Sequence, residues 1–307
     1  MGHISEQARR FIKANRAMEL DGPLTPASAQ KLRGAITAAT QESLNALHKS
    51  LQCSTERRKI GDVDVVIVRP KNGPLSGSGK IALYVHGGGY ALKSALDAGA
   101  LLMADRLGIP VYSVEYRLAP EHPFPAGLED CLAVYRELIK EFDHRSMVVF
   151  GGSAGGGLAL TMLLQARTEG APMPRAVGLF SPWADLTRTG DSYYANEGRD
   201  PVLKWEGNLE YFAASYAGER DPKDPLLSPV YGDYGRGFPP TLIVTGTRDL
   251  FLSNSVRLAR VLRTAGAEAK LRVWEEMFHG FDLSPDLPEG EEARSEMADF
   301  LLQALQD

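Results

Sequence analysis

Apolar positions along this chain fall into two regimes. Up to residue 51 they recur at helical spacing: Phe11, Ile12 and Met18 within 5–20, then Leu32, Ile36, Leu44, Leu47 and Leu51 within 26–51. A turn-forming D-G-P-L-T-P separates the two helices, with Thr25 as N-cap and Pro26 at the first helical position. No strand precedes these helices, so they read as an appendage to a sheet rather than as one of its layers. From Val63 onward, short apolar runs alternate with helical patterns. Strands are predicted at 63–68, 81–85, 110–115, 147–150, 177–180, 241–245 and 269–274, and helices at 95–107, 127–142, 156–168, 253–265 and 290–305. The first two strands are joined by a short loop without helical character, which predicts an antiparallel pair. The remaining alternation predicts an α/β protein with a mostly parallel sheet flanked by helices on both faces. There is no internal repeat and no low-complexity segment.

One stretch breaks the alternation. Residues 184–238 lie between two predicted strands and are far longer than the ~10–15 residues of a crossover helix. The stretch is rich in aromatics (Tyr193, Tyr194, Trp205, Tyr211, Phe212, Tyr216) and in D-P pairs, and is predicted helical near 204–217. Together with the N-terminal helices it is expected to form a cap. The predicted organisation is therefore 1–52 as N-terminal helices contributing to the cap, 53–183 and 239–307 as the core, and 184–238 as the cap insertion.

Composition narrows the class. The 307 residues are 44% hydrophobic and 24% charged, as in a globular protein, and a net charge of −5 provides no basic footprint for nucleic acid. The two cysteines, Cys53 and Cys131, cannot build a disulfide framework and lack metal-ligand spacing, so they read as buried thiols and no metal site is expected. The amphipathic N-terminus lacks the continuous apolar core of a signal peptide, and no apolar run approaches the ~18 residues of a membrane span. These features predict a cytoplasmic protein.

Candidate chemistry centres on 147–157, MVVFGGSAGGG. A short apolar strand runs into Gly151-Gly152-Ser153-Ala154-Gly155, and a helical apolar run follows. Strand, glycine-crowded turn with a central serine, and helix is the context that the nucleophile-elbow motif G-x-S-x-G requires. A serine hydroxyl stands clear of a sheet only on a very sharp turn whose neighbours lack bulk. The helix start also aims backbone N–H groups at an anion forming beside it.

An alcohol nucleophile needs a general base. Of six histidines, His3, His48 and His144 lie in the tail or in helices, while His86 precedes three glycines and His122 precedes a proline. His279, in M-F-H-G-F beyond the strand at 269–274, is the candidate base. In α/β-hydrolases the order is Ser, acid, His, and the acid that follows a strand between the other two is Asp249. Asp185, Asp282 and Glu276 do not follow a strand in that order. The strand at 81–85 ends in His86-Gly87-Gly88-Gly89-Tyr90, and consecutive glycines let backbone N–H groups approach an oxyanion. Gly87, Gly88 and Ala154 are the expected donors, and His86 is expected to orient the loop by hydrogen bonding. Tyr90 and Trp183 are candidate pocket residues, with plain core packing the alternative for each.

These motifs, with Y-R-L-A-P-E-H-P-F-P-A-G-L-E-D at 116–130, S-P-W-A-D-L-T at 181–187 and D-P-L-L-S-P-V-Y-G-D at 224–233, resemble the bacterial hormone-sensitive-lipase-like esterases from the HGGGY segment to the C-terminus. The resemblance implies an α/β-hydrolase fold with a helical cap and hydrolysis of short-to-medium acyl esters. It also implies no cofactor, a small-molecule ester as partner and, often, a homodimer. Two positions depart from the family pattern. Gly152 stands where an Asp usually precedes the nucleophile, and Asp249 is followed by Leu-Phe-Leu-Ser-Asn where the family tends to carry another acid. An amidase or lactonase would share the same triad. A small-molecule receptor on the same fold, like the plant gibberellin receptors, would lack the histidine that this chain has at 279.

Overall fold

Thr25 caps its helix as its sequence requires: the Thr25 hydroxyl accepts from the Ser28 N–H at 3.2 Å, and Ser28 Oγ accepts from the Thr25 N–H at 2.9 Å. This capping box, with Pro26 in the first turn, opens α2 (Pro26–Leu51). The preceding helix α1 (Glu6–Ala14) is shorter than its pattern predicts. It stops where Asn15 folds its side-chain amide back onto the Phe11 carbonyl at 2.9 Å. The computed structural model describes residues 4–73 and 77–306; His3 and the centre of the loop at 74–76 lie outside them.

The core elements follow in the order β1 (Ser54–Ile60), β2 (Val63–Arg69), β3 (Ile81–Val85), α3 (Ala98–Leu107), β4 (Val111–Val114), α4 (Ala126–Glu141), β5 (Met147–Gly152), α5 (Ala154–Thr168) and β6 (Ala176–Phe180). After them come the short α6 (Ser192–Ala195), α7 (Glu210–Ala217), β7 (Thr241–Gly246), α8 (Leu252–Thr264), β8 (Ala269–Trp274) and α9 (Pro288–Gln306). Among the described residues the strands form one sheet in the order β1-β2-β4-β3-β5-β6-β7-β8. From β4 to β8 every pairing is parallel.

The predicted antiparallel pairing of the strands at 63–68 and 81–85 does not occur. β2 pairs antiparallel with β1 and β4, and β4 lies between it and β3. The true hairpin partner, β1, carries Ser-Thr-Glu-Arg-Arg-Lys-Ile, whose side chains are exposed except for Ile60. An edge strand with charges on both faces lacks the apolar alternation by which strands are recognised.

The central strands are buried on both faces, which is why they read as unbroken apolar runs. Ile81, Leu83 and Val85 of β3 and Met147 and Val149 of β5 pack toward α4, α5 and α8. Ala82, Tyr84, Val148 and Phe150 pack toward α3 and α9. Because β3, β5, β7 and β8 run parallel, their carboxyl ends open on one edge of the sheet. His86, Ser153, Asp249 and His279 all follow those ends, where ligands of open α/β sheets bind.

Candidate active site

Ser153 sits between β5 and α5 with φ 56° and ψ −127°. That is a strained conformation for a residue with a Cβ, and its surroundings hold it in place. Its N–H donates to the Phe180 carbonyl at 2.9 Å, while its carbonyl accepts from the Gly156 and Trp183 N–H groups at 3.0 and 2.9 Å. The turn is tight enough that a Cβ on Gly155 would lie 2.1 Å from the Val85 carbonyl oxygen, so α5 starts in direct backbone contact with the end of β3.

His279 reaches Ser153 Oγ with Nε2 at 2.9 Å, and its Nδ1 lies 3.2 Å from Asp249 Oδ1. All three sequence-predicted polar residues thus meet in one line of hydrogen bonds. Asp249 is fully buried; its Oδ1 also accepts from the Phe251 N–H at 2.7 Å and its Oδ2 from the Thr245 hydroxyl at 3.3 Å. Burial alone pushes the His279 pKa down, but the charge and hydrogen bond of Asp249, with the charges of Asp200 and Asp282, hold it above that of an ordinary imidazole.

The glycine loop after β3 faces the serine. A Cβ on Gly87 would lie 2.9 Å from the Gly152 carbonyl oxygen and 3.2 Å from Ser153 Cβ, so only a bare backbone fits there. Gly88 takes φ 106° and its carbonyl accepts from the N–H groups of Ala91 and Leu92 at 3.1 and 2.8 Å, turning the loop back on itself. Ala154 opens α5, so its N–H has no acceptor within the helix.

His86 is buried, and burial lowers its pKa to about 4, leaving it neutral. Its Nδ1 is 2.8 Å from the Gly87 carbonyl, and its ring stacks at 4.2 Å on Tyr116, whose hydroxyl donates to the His86 carbonyl at 2.8 Å. The 116–130 stretch scaffolds the loop further: the Ala119 N–H donates to the Tyr90 carbonyl at 2.9 Å. Within that stretch, the Arg117 guanidinium and N–H both bind Asp130.

A cavity of about 510 Å³ opens above Ser153 and His279. Trp183 lines it, stacked at 5.3 Å on Phe251. Tyr90 is not among its lining residues; it lies buried with its ring 3.8 Å from that of Tyr216, and so belongs to the core. The cavity roof comes from both outlying segments: Phe11, Met18 and Thr40 from the N-terminal segment, and Val202, Leu203, Leu209 and Phe212 from the insertion. Leu20 N–H donates to the Gly207 carbonyl and Asn208 Nδ2 to the Met18 carbonyl, each at 2.8 Å. Phe11 stacks on Phe278, next to His279, at 4.4 Å.

Two residues of the insertion that sequence reasoning passed over hold the acid loop. Asn196 Nδ2 donates to the carbonyls of Thr247 and Asp249, both at 3.0 Å. Asp200 accepts from the Leu250 N–H at 3.1 Å and from the Val202 N–H at 2.9 Å. Burial, and then the charge of Asp249, push its pKa up. The one visible signal was its place in a D-P pair. On the far side of His279, Asp282 is buried and its pKa is raised by burial to about 6, despite the opposing charges of His279 and Arg294.

Comparison with known proteins agrees with this fold. A sequence family described as "alpha/beta hydrolase fold" matches residues 82–283. An acetyl-hydrolase of Streptomyces hygroscopicus is 37% identical over 235 residues, spanning 75% of this chain and 78% of that protein. An ethyl acetate hydrolase of Pseudomonas putida is 33% identical over 228 residues, 71% of this chain and 70% of its own length. Among solved structures, esterase E25 superposes with a TM-score of 0.92 at 33% identity, covering 99% of this chain and 95% of that one. An esterase from the bacterial hormone-sensitive lipase family gives a TM-score of 0.81 at 31% identity, over 98% and 99% of the two chains.

Proposed function

Because the chain belongs to the hormone-sensitive-lipase-like esterases of the α/β-hydrolase fold, we propose that its hydrolysis of carboxylic esters runs through Ser153, His279 and Asp249. The protein is a carboxylesterase of the serine hydrolase type. The observation that carries the residue assignment is the position of His279, which touches Ser153 Oγ with one ring nitrogen and Asp249 with the other.

Ser153 Oγ attacks the ester carbonyl carbon while its proton passes to His279 Nε2. The carbonyl electron pair moves onto oxygen, and the N–H groups of Gly87, Gly88 and Ala154 are its proposed donors. Asp249 fixes the imidazole tautomer and stabilises the imidazolium. The tetrahedral species collapses as the carbon–alkoxy bond breaks, and Nε2 gives its proton to the leaving alcohol. Water then attacks the acyl-enzyme, losing a proton to Nε2. That proton returns to Ser153 as the carboxylic acid departs.

The cap proposed from the sequence consists of 1–52 and 184–238, and the shared roof over the cavity supports it. Phe11, Met18 and Phe212 bound the space, which favours short-to-medium acyl esters. A receptor role is disfavoured by the histidine at 279. Two buried, unpaired cysteines fit a reducing cytoplasm, and homodimerisation remains a proposal checked by sedimentation velocity. Among the described residues, no helix is long and apolar enough to cross a membrane.

Hydrolysis of p-nitrophenyl acetate, butyrate, octanoate and palmitate, with Ser153→Ala in parallel, tests the reading. Activity that falls with chain length and vanishes in the variant is expected. Equal activity in both proteins would reject Ser153 as the nucleophile.

A further inference from the structure

Part of the cavity wall is not used by the proposed chemistry. It lies on the α3 and α9 side of the sheet, where Tyr84, Met103, Phe150 and Leu283 line the cavity with Asp282 and Arg294. This wall is mainly apolar, yet both charged residues are almost wholly buried, at 6% and 2% exposure.

Neither is fully matched by the protein. Among the described residues the Asp282 carboxylate accepts only from its own backbone N–H. Arg294 Nη1 donates to the carbonyls of Asp282 and Ser284 and Nη2 to Glu291, but its buried Nε has no partner. A buried acceptor and a buried donor left unmatched each carry a desolvation cost. Arg294 Nε has no surface open to the cavity, whereas Asp282 lines the space that holds Ser153, so a substrate donor can supply what its carboxylate lacks.

We infer that Asp282 forms a polar terminus for one arm of the ester and selects a hydroxyl group there. A hydroxyl donates to the Asp282 carboxylate. An ammonium would match Asp282 but would be held near the Arg294 guanidinium, and a plain methyl terminus would leave the carboxylate unsatisfied. The inference rests on ester hydrolysis at Ser153 and adds a substrate class to it: hydroxylated esters.

The test is a competition between paired esters, since either arm of the substrate can enter this space. Ethyl 6-hydroxyhexanoate against ethyl hexanoate reads the acyl side, and 6-hydroxyhexyl acetate against hexyl acetate reads the alcohol side. In one pair the hydroxyl member is expected to have a kcat/KM about tenfold higher. Asp282→Leu should bring that ratio below one, whereas a purely structural role for Asp282 would scale both members alike. Asp282→Asn, which keeps an acceptor oxygen, should give an intermediate ratio and replaces the leucine variant if that does not fold.

Faster hydrolysis of the alkyl member in both pairs overturns the inference and leaves ester hydrolysis standing. So does a preference for ethyl 6-aminohexanoate over its hydroxyl counterpart, or a hydroxyl preference that survives Asp282→Leu. Hydrolysis of none of the esters overturns the proposed function, and this inference with it.

Discussion

Arg33, on the N-terminal helix α2, donates from Nε to the carbonyl oxygen of Ala91 at 2.7 Å. Ala91 follows the HGGGY segment directly and is bonded back to Gly88, so this contact ties the cap to the glycine loop facing Ser153. The same guanidinium donates to the Ala119 carbonyl at 2.8 Å and binds Glu121 through both of its outer nitrogens, at 2.8 and 2.7 Å. One side chain therefore fixes helix α2, the glycine loop and the 116–130 scaffold together.

Arg33 acts as a positioning residue, since it touches no reacting atom. Arg33→Leu is expected to lower kcat about tenfold with little change in KM, because the loop's N–H groups are the proposed oxyanion donors and such donors contribute mainly in the transition state. Loss of charge-assisted hydrogen bonds should cost about 1–3 kcal/mol of stability. Arg33→Lys, lacking the planar fork, should recover only part of the rate. A kcat unchanged in a folded Arg33→Leu protein would separate the loop from the cap.

The Ser153–His279–Asp249 line should behave as a unit. Ser153→Ala and His279→Ala are each expected to reduce kcat by about six orders of magnitude, and the double variant by no more than either alone. Asp249→Asn, which keeps the shape but disturbs the tautomer, should cost about four orders. Single-turnover kinetics of each variant, with circular dichroism to confirm folding, measure this. Additive losses in the double variant would argue against a shared mechanism.

The acids around His279 set the acid limb of the pH profile. The proposed base must be neutral to accept the Ser153 proton, and its pKa is held above that of an ordinary imidazole. The kcat/KM value should therefore rise with pH through a midpoint above the ordinary imidazole range. Asp200 is one of the charges that hold it there. Asp200→Asn removes that charge, so the midpoint should move to lower pH even if kcat falls as the Asp249 loop loosens. A midpoint that stays in place or moves upward would remove Asp200 from the electrostatics of the site.

The parts of this fold that burial dictates could be read from the chain. Strands β3 to β7 are apolar because both of their faces are covered, and each was visible with bounds within a residue or two of the structure. The elbow and the order of Ser153, Asp249 and His279 were equally visible, because sharp turns and bare backbones leave few residue choices. β1 was hidden because an exposed edge strand has no core-facing stripe. The β2–β3 adjacency failed for a topological reason: β4, much later in sequence, inserts between them, and local loop length carries no information about that. Asn196, Asp200 and Arg33 act by reaching across the fold to backbone groups of other segments. No spacing within their own segments encodes those partners.

Gly152, where the family pattern has Asp, tests how much the residue before the serine contributes. A Cβ there would meet only the Phe180 carbonyl oxygen at 3.7 Å and Phe180 Cβ at 3.8 Å, both ordinary contacts. Gly152→Asp should therefore fold and retain turnover within about tenfold, since no strained contact is introduced. A new carboxylate beside Ser153 would add negative charge near His279, so the acid limb of kcat/KM should shift to higher pH. Gly155→Ala is the contrasting case. Its Cβ would lie 2.1 Å from the Val85 carbonyl oxygen and 2.4 Å from that of His86, both fixed backbone atoms, so the β3–α5 contact cannot close around it. Gly155→Ala is expected to be inactive, with a lowered Tm or no soluble product. If Gly152→Asp folds but loses several orders of magnitude in turnover, the glycine is required for catalysis at the elbow, and the departure from the family pattern is functional rather than neutral.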